Sequence, residues 1–181
     1  MLTIDTDSHL RDEYVWDEIY DLKGEFADKK PKKISTGKYP IDNKFEYSFF
    51  PWTKKEEKSY NHHWIYHPDD NFMDGEMAER QIGGYDMDVR LKHNDIAQVQ
   101  YQMIFPTNIT PPATAPGPLG AALARCYNDW VKKLVAGKED RLWPVGIMPA
   151  GHPEAMAAEA EYCVNVLGFK ALHMACFTEE H

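Results

Sequence analysis

The sequence lacks the marks of three classes of protein. No apolar run approaches the roughly 20 residues that a membrane-spanning helix needs, and the N-terminus shows neither the basic nor the apolar region of a secretion signal. Acidic residues outnumber basic residues by 29 to 20, and the formal net charge of −9 would repel the phosphates of a nucleic acid. We therefore expect a cytoplasmic protein with no membrane partner and no nucleic-acid partner.

Cysteine is scarce as well. Cys126, Cys163 and Cys176 form no C-x-x-C pair, and their number is odd. Without a secretion signal, this usage is typical of reduced thiols. We expect all three cysteines to pack in the core and none of them to act in catalysis.

Predicted strands and helices alternate along the chain. The apolar patterns predict strands at 1–9, 99–105, 142–148 and 170–177, and helices at 86–97, 119–136 and 153–167. The connections are long enough for all four strands to be parallel. This α/β pattern fits an open, doubly wound sheet or the first half of a (β/α)8 barrel. No G-x-G-x-x-G fingerprint follows the first strand, which weakens a dinucleotide-binding interpretation, and Gly83-Gly84 is predicted to be a turn.

A long segment, residues 11–85, separates the first strand from the regular alternation. It is rich in charge and proline, and it has too many aromatic residues for a disordered linker. We predict an ordered insertion, serving as a lid or an oligomer surface, within a single domain of residues 1–181. The histidines of Asn61-His62-His63-Trp64 and His67 are interpreted as surface residues, and a lid histidine that reaches a substrate is the functional alternative.

The end of the first strand carries the most informative motif, Asp5-Thr6-Asp7-Ser8-His9. Because side chains alternate along a strand, we expect Asp5, Asp7 and His9 to project to the same side. A buried strand does not carry three ionisable groups on one face unless they are paired or bind a metal. Carboxylate oxygen and imidazole nitrogen are ligands that suit Zn²⁺ or Mn²⁺. The alternative is a solvated strand end with a hydrogen bond between Asp7 and His9, and we expect Asp5 to be structural.

Six stretches of the chain together resemble a known family. They are IDTDSH (4–9), GYDMDVRL (84–91, followed by Asp95), IFPT (104–107), YNDW (127–130), DRL (140–142) and LGFK (167–170). In their order and spacing, these stretches resemble the N-terminal part of the amidohydrolase-2 family, which includes aminocarboxymuconate-semialdehyde decarboxylase and γ-resorcylate decarboxylase.

The resemblance implies a metal-dependent (β/α)8 barrel that decarboxylates or hydrolyses a small, often aromatic, carboxylic acid. It places Asp7 and His9 at the positions of two metal ligands, so a divalent metal, Zn or Mn, is expected. The family's other ligands and its catalytic histidine lie beyond the fourth strand, and a whole barrel needs about 250 residues. We therefore expect an incomplete barrel that a second, different chain completes, or a part of a longer protein.

Four further residues are candidate contacts for a small-molecule carboxylate substrate. Arg11 is interpreted as a bidentate partner for the carboxylate, or as part of a surface salt bridge. Phe105 and Thr107 end the second of the four strands and are expected at the pocket mouth, with a core position as the alternative for Phe105. His173 points toward the site or is a hydrogen-bonded core histidine. Asn128-Asp129-Trp130 is expected to pack rather than to catalyse.

Two other functions stay open at this point. A non-catalytic structural or regulatory subunit would keep the barrel fold and lose the site. A metal-free α/β domain would bind a small ligand at its strand ends and contain no metal.

Overall fold

The computed structural model describes residues 2–12, 15–35, 46–49, 82–107, 112 and 115–175. In chain order, its elements are β1 (Ile4–His9), α1 (Trp16–Ile19), a 3-10 turn (Gly24–Phe26), β2 (Lys32–Ser35), β3 (Glu46–Phe49), α2 (Met87–Ile96), β4 (Tyr101–Phe105), α3 (Gly117–Leu134), β5 (Leu142–Ile147), α4 (Pro153–Asn165) and β6 (Ala171–His173). The histidines at 62, 63 and 67 and the cysteine at 176 lie outside the described residues.

Four parallel strands form the main sheet in the order β1-β4-β5-β6. α2 precedes β4. α3 joins β4 to β5 and α4 joins β5 to β6, so each of these two steps uses one helix. A doubly wound sheet reverses its direction at a switch point, whereas this order advances in one direction, as in a (β/α)8 barrel. The predicted α/β class with a partial barrel is therefore confirmed. β2 and β3 pair antiparallel with each other in a separate small sheet.

Local sequence sets where the helices begin. α2 begins as predicted, because the side chain of Asp86 accepts hydrogen bonds from the backbone N–H groups of Asp88, at 2.9 Å, and Val89, at 3.0 Å. α3 begins at Gly117, earlier than predicted, because Pro118 is accommodated in the first turn of a helix, where its missing N–H is not needed. No helix in the described part of the chain has the length and apolarity to cross a membrane.

The core lies between the sheet and the helices and includes the beginning of the insertion. Trp16, Ile19 and Tyr20 are buried, and α1 packs against α3. From the sheet, Ile104 and Leu142 are fully buried. The first part of the insertion is thus tied to the helical layer by apolar burial, and the lid or oligomer surface stays a prediction.

Both described cysteines belong to this helical layer. Cys163 is buried in the core, and burial raises the pKa of its thiol to about 12. Cys126 is half-buried against the core, and burial raises its pKa as well. A thiol with a raised pKa is a poor nucleophile at neutral pH, so the expected packing role is confirmed for these two residues.

The face of the sheet opposite the helices is only partly covered. Along β4, half-buried Tyr101, Met103 and Phe105 alternate with buried Gln102 and Ile104. The ring of Tyr101 stacks on that of Trp143 in β5, with centroids 4.9 Å apart. We call this surface the open face, and its described members include Ile4, Tyr101, Met103, Phe105, Trp143 and His173.

Candidate metal centre

Three aromatic rings stand at the carboxyl ends of the parallel strands. His9, Phe105 and His173 are each the last residue of their strand, in β1, β4 and β6. The ring centroids of His9 and Phe105 are 5.8 Å apart, and those of Phe105 and His173 are 6.1 Å apart. Because active sites of such barrels lie at the carboxyl ends of the strands, this row marks the candidate site.

Asp7 and His9 are placed to act together. The Nε2 atom of His9 lies 3.4 Å from Oδ1 of Asp7. The Nδ1 atom of His9 lies 3.0 Å from the carbonyl oxygen of Pro106, which can only accept a hydrogen bond, so Nδ1 carries the hydrogen. In the neutral ring, Nε2 then presents its lone pair toward the Asp7 carboxylate. Metal-ligating histidines have this arrangement, with one nitrogen held by a hydrogen bond and the other offered to the ion.

The pair is also accessible from solvent. The side chain of Asp7 is 90% exposed and that of His9 is 49% exposed. A polar contact as exposed as this one contributes little to folding stability. The two side chains are therefore available for binding rather than needed for the core.

Asp5 lies on the opposite face of the sheet from His9, so the expected alternation was wrong. Asp5 pairs with Gln102, and the register of β1 against β4 shifts between Asp5 and Ser8. Such a β-bulge adds a residue to one strand, and the side chains beyond it change face. The Asp5 carboxylate accepts hydrogen bonds from Nε2 of Gln102, at 2.9 Å, and from the backbone N–H of Asp7, at 3.0 Å. The expected structural role of Asp5 is confirmed.

Arg90 of α2 belongs to the stretch 84–91 that carries the resemblance, which gave it no role, and its guanidinium anchors the end of β1. Nη1 donates to Oγ of Ser8 at 2.6 Å and to Oε1 of Gln102 at 3.1 Å. Nη2 donates to the carbonyl oxygen of His9 at 2.6 Å, and Nε donates to that of Gly83 at 2.6 Å. The side chain next to the candidate ligands is thus bonded at four points.

Burial has an electrostatic consequence for Arg90. It lowers the pKa of the guanidinium to about 10, and the charge of Asp5 partly opposes this shift. Arg90 therefore stays protonated at neutral pH. The sequence did contain a signal for the burial of Arg90. Met87, Arg90 and Asn94 follow helical spacing and share one buried face of α2.

The donors present fit part of a metal site. A carboxylate oxygen and an imidazole nitrogen suit Zn²⁺ or Mn²⁺. In the part of the chain that the structure describes, no group of three or more His, Cys, Asp or Glu side chains comes together to hold an ion. Asp7 and His9 by themselves would therefore be an incomplete set of ligands, and their role as ligands stays a prediction.

Arg11, a predicted substrate contact, follows β1 two residues after His9. Its backbone N–H donates to the carbonyl oxygen of Gly84 at 2.8 Å. Its side chain lines a cavity of about 230 Å³ together with His9 and Arg90. The position beside His9 is compatible with contact to a substrate carboxylate, and this role stays a prediction.

Thr107, another predicted contact, joins the loop after β4 to the end of β1. Its hydroxyl donates to the carbonyl oxygen of Leu10. Its backbone N–H donates to Oδ1 of the buried Asp12 at 2.8 Å. The hydroxyl hydrogen is engaged in the fold, and the contact of Thr107 with a substrate stays a prediction.

The alternative of a hydrogen-bonded core histidine finds no support at Nδ1 of His173. Its Nδ1 atom is buried and has no hydrogen-bond partner among the described residues. Burial, with a smaller contribution from the charge of His9, lowers the pKa of His173 below its usual 6.5. The ring is therefore neutral at pH 7. The contact of His173 with a substrate stays a prediction.

A second polar cluster holds the end of β5. Nδ2 of Asn128 donates to the carbonyl oxygen of Ile147 at 3.0 Å, and Oδ1 of Asn128 accepts from the N–H of Ile147 at 2.8 Å. Asn128 also donates to Glu159 at 2.8 Å, and Glu159 forms an ion pair with Arg125 at 2.8 Å. Asn128 is fully buried, so its expected packing role is confirmed.

Comparison with known proteins relates this fold to a group of enzymes. No protein-family model matches the chain, and no curated protein sequence matches it significantly. Among solved structures, a 2,6-dihydroxybenzoate decarboxylase in complex with 2,6-dihydroxybenzoate is 26% identical, with a TM-score of 0.53. That match covers 64% of this chain and 35% of the decarboxylase.

Two further structures match nearly the whole chain. A 5-carboxyvanillate decarboxylase from Sphingomonas paucimobilis is 17% identical with a TM-score of 0.57, and the match covers 98% of this chain and 44% of that one. A dihydroxybenzoic acid decarboxylase from Polaromonas, with bound manganese and the inhibitor 2-nitroresorcinol, is 16% identical with a TM-score of 0.53, at coverages of 99% and 40%. At these identities the likeness shows the fold alone. The chain spans less than half the length of each of these three enzymes.

The sheet order and these neighbours agree on the fold: the described strands and helices form a partial (β/α)8 barrel. These neighbours are decarboxylases of aromatic carboxylic acids, so the resemblance found in the sequence is confirmed as a likeness of fold to such enzymes.

Proposed function

We propose that this chain is a subunit or part of a metal-dependent amidohydrolase-type enzyme that decarboxylates, or hydrolyses, a small aromatic carboxylic acid. Asp7 and His9 contribute two ligands to a Zn²⁺ or Mn²⁺ ion. The observation that carries the proposal is the orientation of His9, whose Nε2 faces Asp7 while Pro106 holds Nδ1. The neighbours support the kind of reaction, since they are decarboxylases of dihydroxybenzoate and carboxyvanillate and one contains manganese.

The described side chains suggest how such a substrate would be bound. When present, the metal would orient the substrate and stabilise developing negative charge. The Phe105 ring lies between His9 and His173 and offers an apolar surface to an aromatic ring. Arg11 carries a charge suited to bidentate binding of a carboxylate. These residues bind and orient the substrate, and the group that transfers a proton is supplied from outside this part of the barrel.

A second, different chain is the proposed source of the rest of the barrel. Among the described residues, β1 pairs only with β4 and β6 pairs only with β5, so the sheet has two unpaired edges. Exposed apolar side chains stand at both edges: Leu2 and Ile4 at β1, and Met174 after β6. Unpaired strand edges with apolar side chains favour association with further strands. A partner at these edges would also bring the missing metal ligands.

The first test examines the assembly isolated from its own host. Native mass spectrometry combined with metal analysis is expected to find this chain bound to a different chain, together with a Zn or Mn ion. A metal-free monomer or homodimer would contradict the proposal and favour a metal-free ligand-binding domain.

The second test measures the release of CO₂ from a panel of hydroxybenzoates, beginning with 2,6-dihydroxybenzoate. In the assembled protein, Asp7→Asn and His9→Gln are expected to reduce the release to background. The matched control is His152→Gln, because Nδ1 of His152 forms a similar pair with Glu154 at 3.2 Å. Activity that survives both substitutions at the candidate site would instead assign this chain to a non-catalytic subunit.

A further inference from the structure

We infer that Arg90 and Gln102 are positioning residues for the metal ligands, because they fix the irregular stretch of β1 that places Asp7 beside His9. The inference rests on the proposed function, since it concerns the same pair of side chains. It goes further in naming what holds that pair in place.

The stretch that carries Asp7 lacks regular support from the sheet. β1 pairs with β4 at Asp5 and resumes at Ser8 with a shifted register. A β-bulge interrupts the ladder of backbone hydrogen bonds at the extra residue. Within the described residues, β1 has no second neighbouring strand. The backbone at Asp7 must therefore be held by contacts other than a strand ladder.

Arg90 fixes the chain just after the bulge. Its two terminal nitrogens donate to the Ser8 hydroxyl and to the His9 carbonyl oxygen, each at 2.6 Å. Its Nε atom donates to the carbonyl oxygen of Gly83, at 2.6 Å, in the turn before α2. A guanidinium is planar and its donors have fixed directions, so these bonds set the orientation of the backbone on both sides of the Ser8–His9 peptide.

Gln102 fixes the chain before the bulge. Its Oε1 atom accepts from Nη1 of Arg90, at 3.1 Å, and from Nδ2 of Asn94, at 3.2 Å. Its Nε2 atom donates to Asp5 at 2.9 Å, and Asp5 in turn accepts from the N–H of Asp7 at 3.0 Å. A continuous chain of hydrogen bonds therefore runs from Arg90 to the backbone of Asp7.

The burial of this chain of hydrogen bonds makes it rigid. Arg90, Asn94 and Gln102 are all buried. In a region of low dielectric, satisfied hydrogen bonds reinforce one another and displacement is costly. Two donors at Oε1 and a carboxylate at Nε2 also leave the Gln102 amide with one favourable orientation. The network thus has one arrangement, which it imposes on the exposed pair.

Arg141 is the control that distinguishes a purely structural role of Arg90 from a positioning role. Arg141 also bonds the backbone of the same sheet, but at the amino ends of the strands. Its Nη2 donates to the carbonyl oxygen of Val99 at 2.9 Å, its Nε donates to that of Gln100 at 3.2 Å, and it forms an ion pair with Asp95 at 2.7 Å. Loss of Arg141 removes a comparable set of bonds far from Asp7.

The experiment compares Arg90→Gln, Ser8→Ala and Arg141→Gln in the assembled protein. Mn²⁺ is titrated, and the free ion is measured by electron paramagnetic resonance. The affinity for Mn²⁺ is expected to fall about 10- to 100-fold for Arg90→Gln, as for the loss of groups that orient metal ligands. Ser8→Ala removes one bond of Arg90 and is expected to cause a smaller fall. Arg141→Gln is expected to change the affinity less than about twofold, as for a distant site.

A second measurement does not depend on a metal. In the chelated protein, ¹⁵N NMR of the histidine rings reports the tautomer of His9. The wild-type ring is expected to carry its hydrogen on Nδ1, and Arg90→Gln is expected to give a mixture of tautomers because the bond to Pro106 loosens. Arg141→Gln is expected to leave the tautomer unchanged.

These measurements separate the two proposals. A wild-type protein that binds no Mn²⁺ and no Zn²⁺ contradicts the proposed function, and the tautomer then decides the inference alone. The inference is overturned if folded Arg90→Gln keeps both the wild-type affinity and the wild-type tautomer. It is also overturned if Arg141→Gln reproduces the effects of Arg90→Gln. If Arg90→Gln does not fold, Ser8→Ala decides, and an unchanged tautomer and affinity in that variant overturn the inference.

Discussion

Two polar networks hold strand ends in this molecule. They differ in whether the arginine of the network bonds a charged or an uncharged group. At β5, Arg125 bonds the carboxylate of Glu159, and Asn128 joins that carboxylate to the backbone of Ile147. We call this group the β5 network. At β1, Arg90 bonds the hydroxyl, amide and carbonyl oxygens described above, and none of these direct acceptors is charged. We call this second group, which includes Gln102, Asn94 and Asp5, the β1 network.

The pKa values of the two arginines differ accordingly. The hydrogen bonds to Glu159 raise the pKa of Arg125, whereas burial lowers that of Arg90 to about 10. The β5 network is complete in itself, because its cation and its carboxylate satisfy each other. The β1 network ends on the backbone of Asp7 and His9, which carry the exposed candidate ligands. We therefore expect the first network to serve folding stability alone, and the second to serve stability and, under the proposed function, metal binding.

The largest expected effect on stability is at Glu159. Glu159→Ala removes the acceptor of Arg125 and leaves Asn128 short of a partner. We expect the free energy of unfolding to fall by about 3 kcal/mol, at the low end for a broken buried pair because the Arg125 side chain is 42% exposed. Urea denaturation measures this change, and the affinity for Mn²⁺ is expected to be unaltered.

The control for this substitution is an exposed ion pair in the same helical layer. Glu139→Ala removes the partner of Lys132, and we expect a loss under about 1 kcal/mol. A weakened Mn²⁺ affinity in Glu159→Ala would contradict the claim that only the β1 network affects metal binding.

An intermediate effect is expected at Gln102, where both consequences should appear together. Gln102→Leu leaves Asp5 without its donor and Arg90 without one acceptor. We expect a loss of about 2 kcal/mol in stability and a weaker affinity for Mn²⁺, because the bond to Asp5 supports the backbone of Asp7. Denaturation and metal titration of the same preparation measure both.

The same substitution two residues earlier serves as the control for Gln102. The side chain of Gln100 is exposed and accepts from the N–H of Thr3 at 2.6 Å, at the other end of the strands. Gln100→Leu is expected to leave the metal affinity intact. Equal losses of affinity at both positions would speak against a specific path to Asp7.

The smallest expected effect is at the cap of the helix that carries Arg90. Asp86→Ala removes two hydrogen bonds at the start of α2 and should cost about 1 kcal/mol of stability. Because Arg90 keeps its own bonds, we expect the metal affinity to stay unchanged. Asp88→Ala is the control, since Asp88 caps nothing and pairs with Lys138 at the surface. A large loss of metal affinity in Asp86→Ala would show that the helix, rather than its arginine, sets the site.

Local features of the fold were predictable from the sequence. The cap at Asp86 and the apolar periodicity of α3 and α4 set their positions to within a few residues, because these signals act between neighbours in the chain. The strand-end position of His9 followed from the same kind of reasoning. The order of the strands could be predicted only from the family resemblance, because the sequence of an apolar parallel strand does not indicate which strands lie next to it.

The bulge in β1 and the role of Arg90 could not be predicted in the same way. The register of Asp5 and Ser8 against β4 depends on pairing with residues far along the chain, such as Gln102 for Asp5, and no local pattern records it. The partners of Arg90 are likewise contributed by distant segments. The candidate ligands were therefore identified from the motif, whereas the network that holds them became visible only in three dimensions.

The most direct test of the account is anomalous diffraction from the assembled protein grown with Zn²⁺. The account predicts an anomalous peak bonded to a carboxylate oxygen of Asp7 and to Nε2 of His9, each at about 2.0–2.2 Å. A peak bound elsewhere, with Asp7 and His9 still paired to each other, would contradict it.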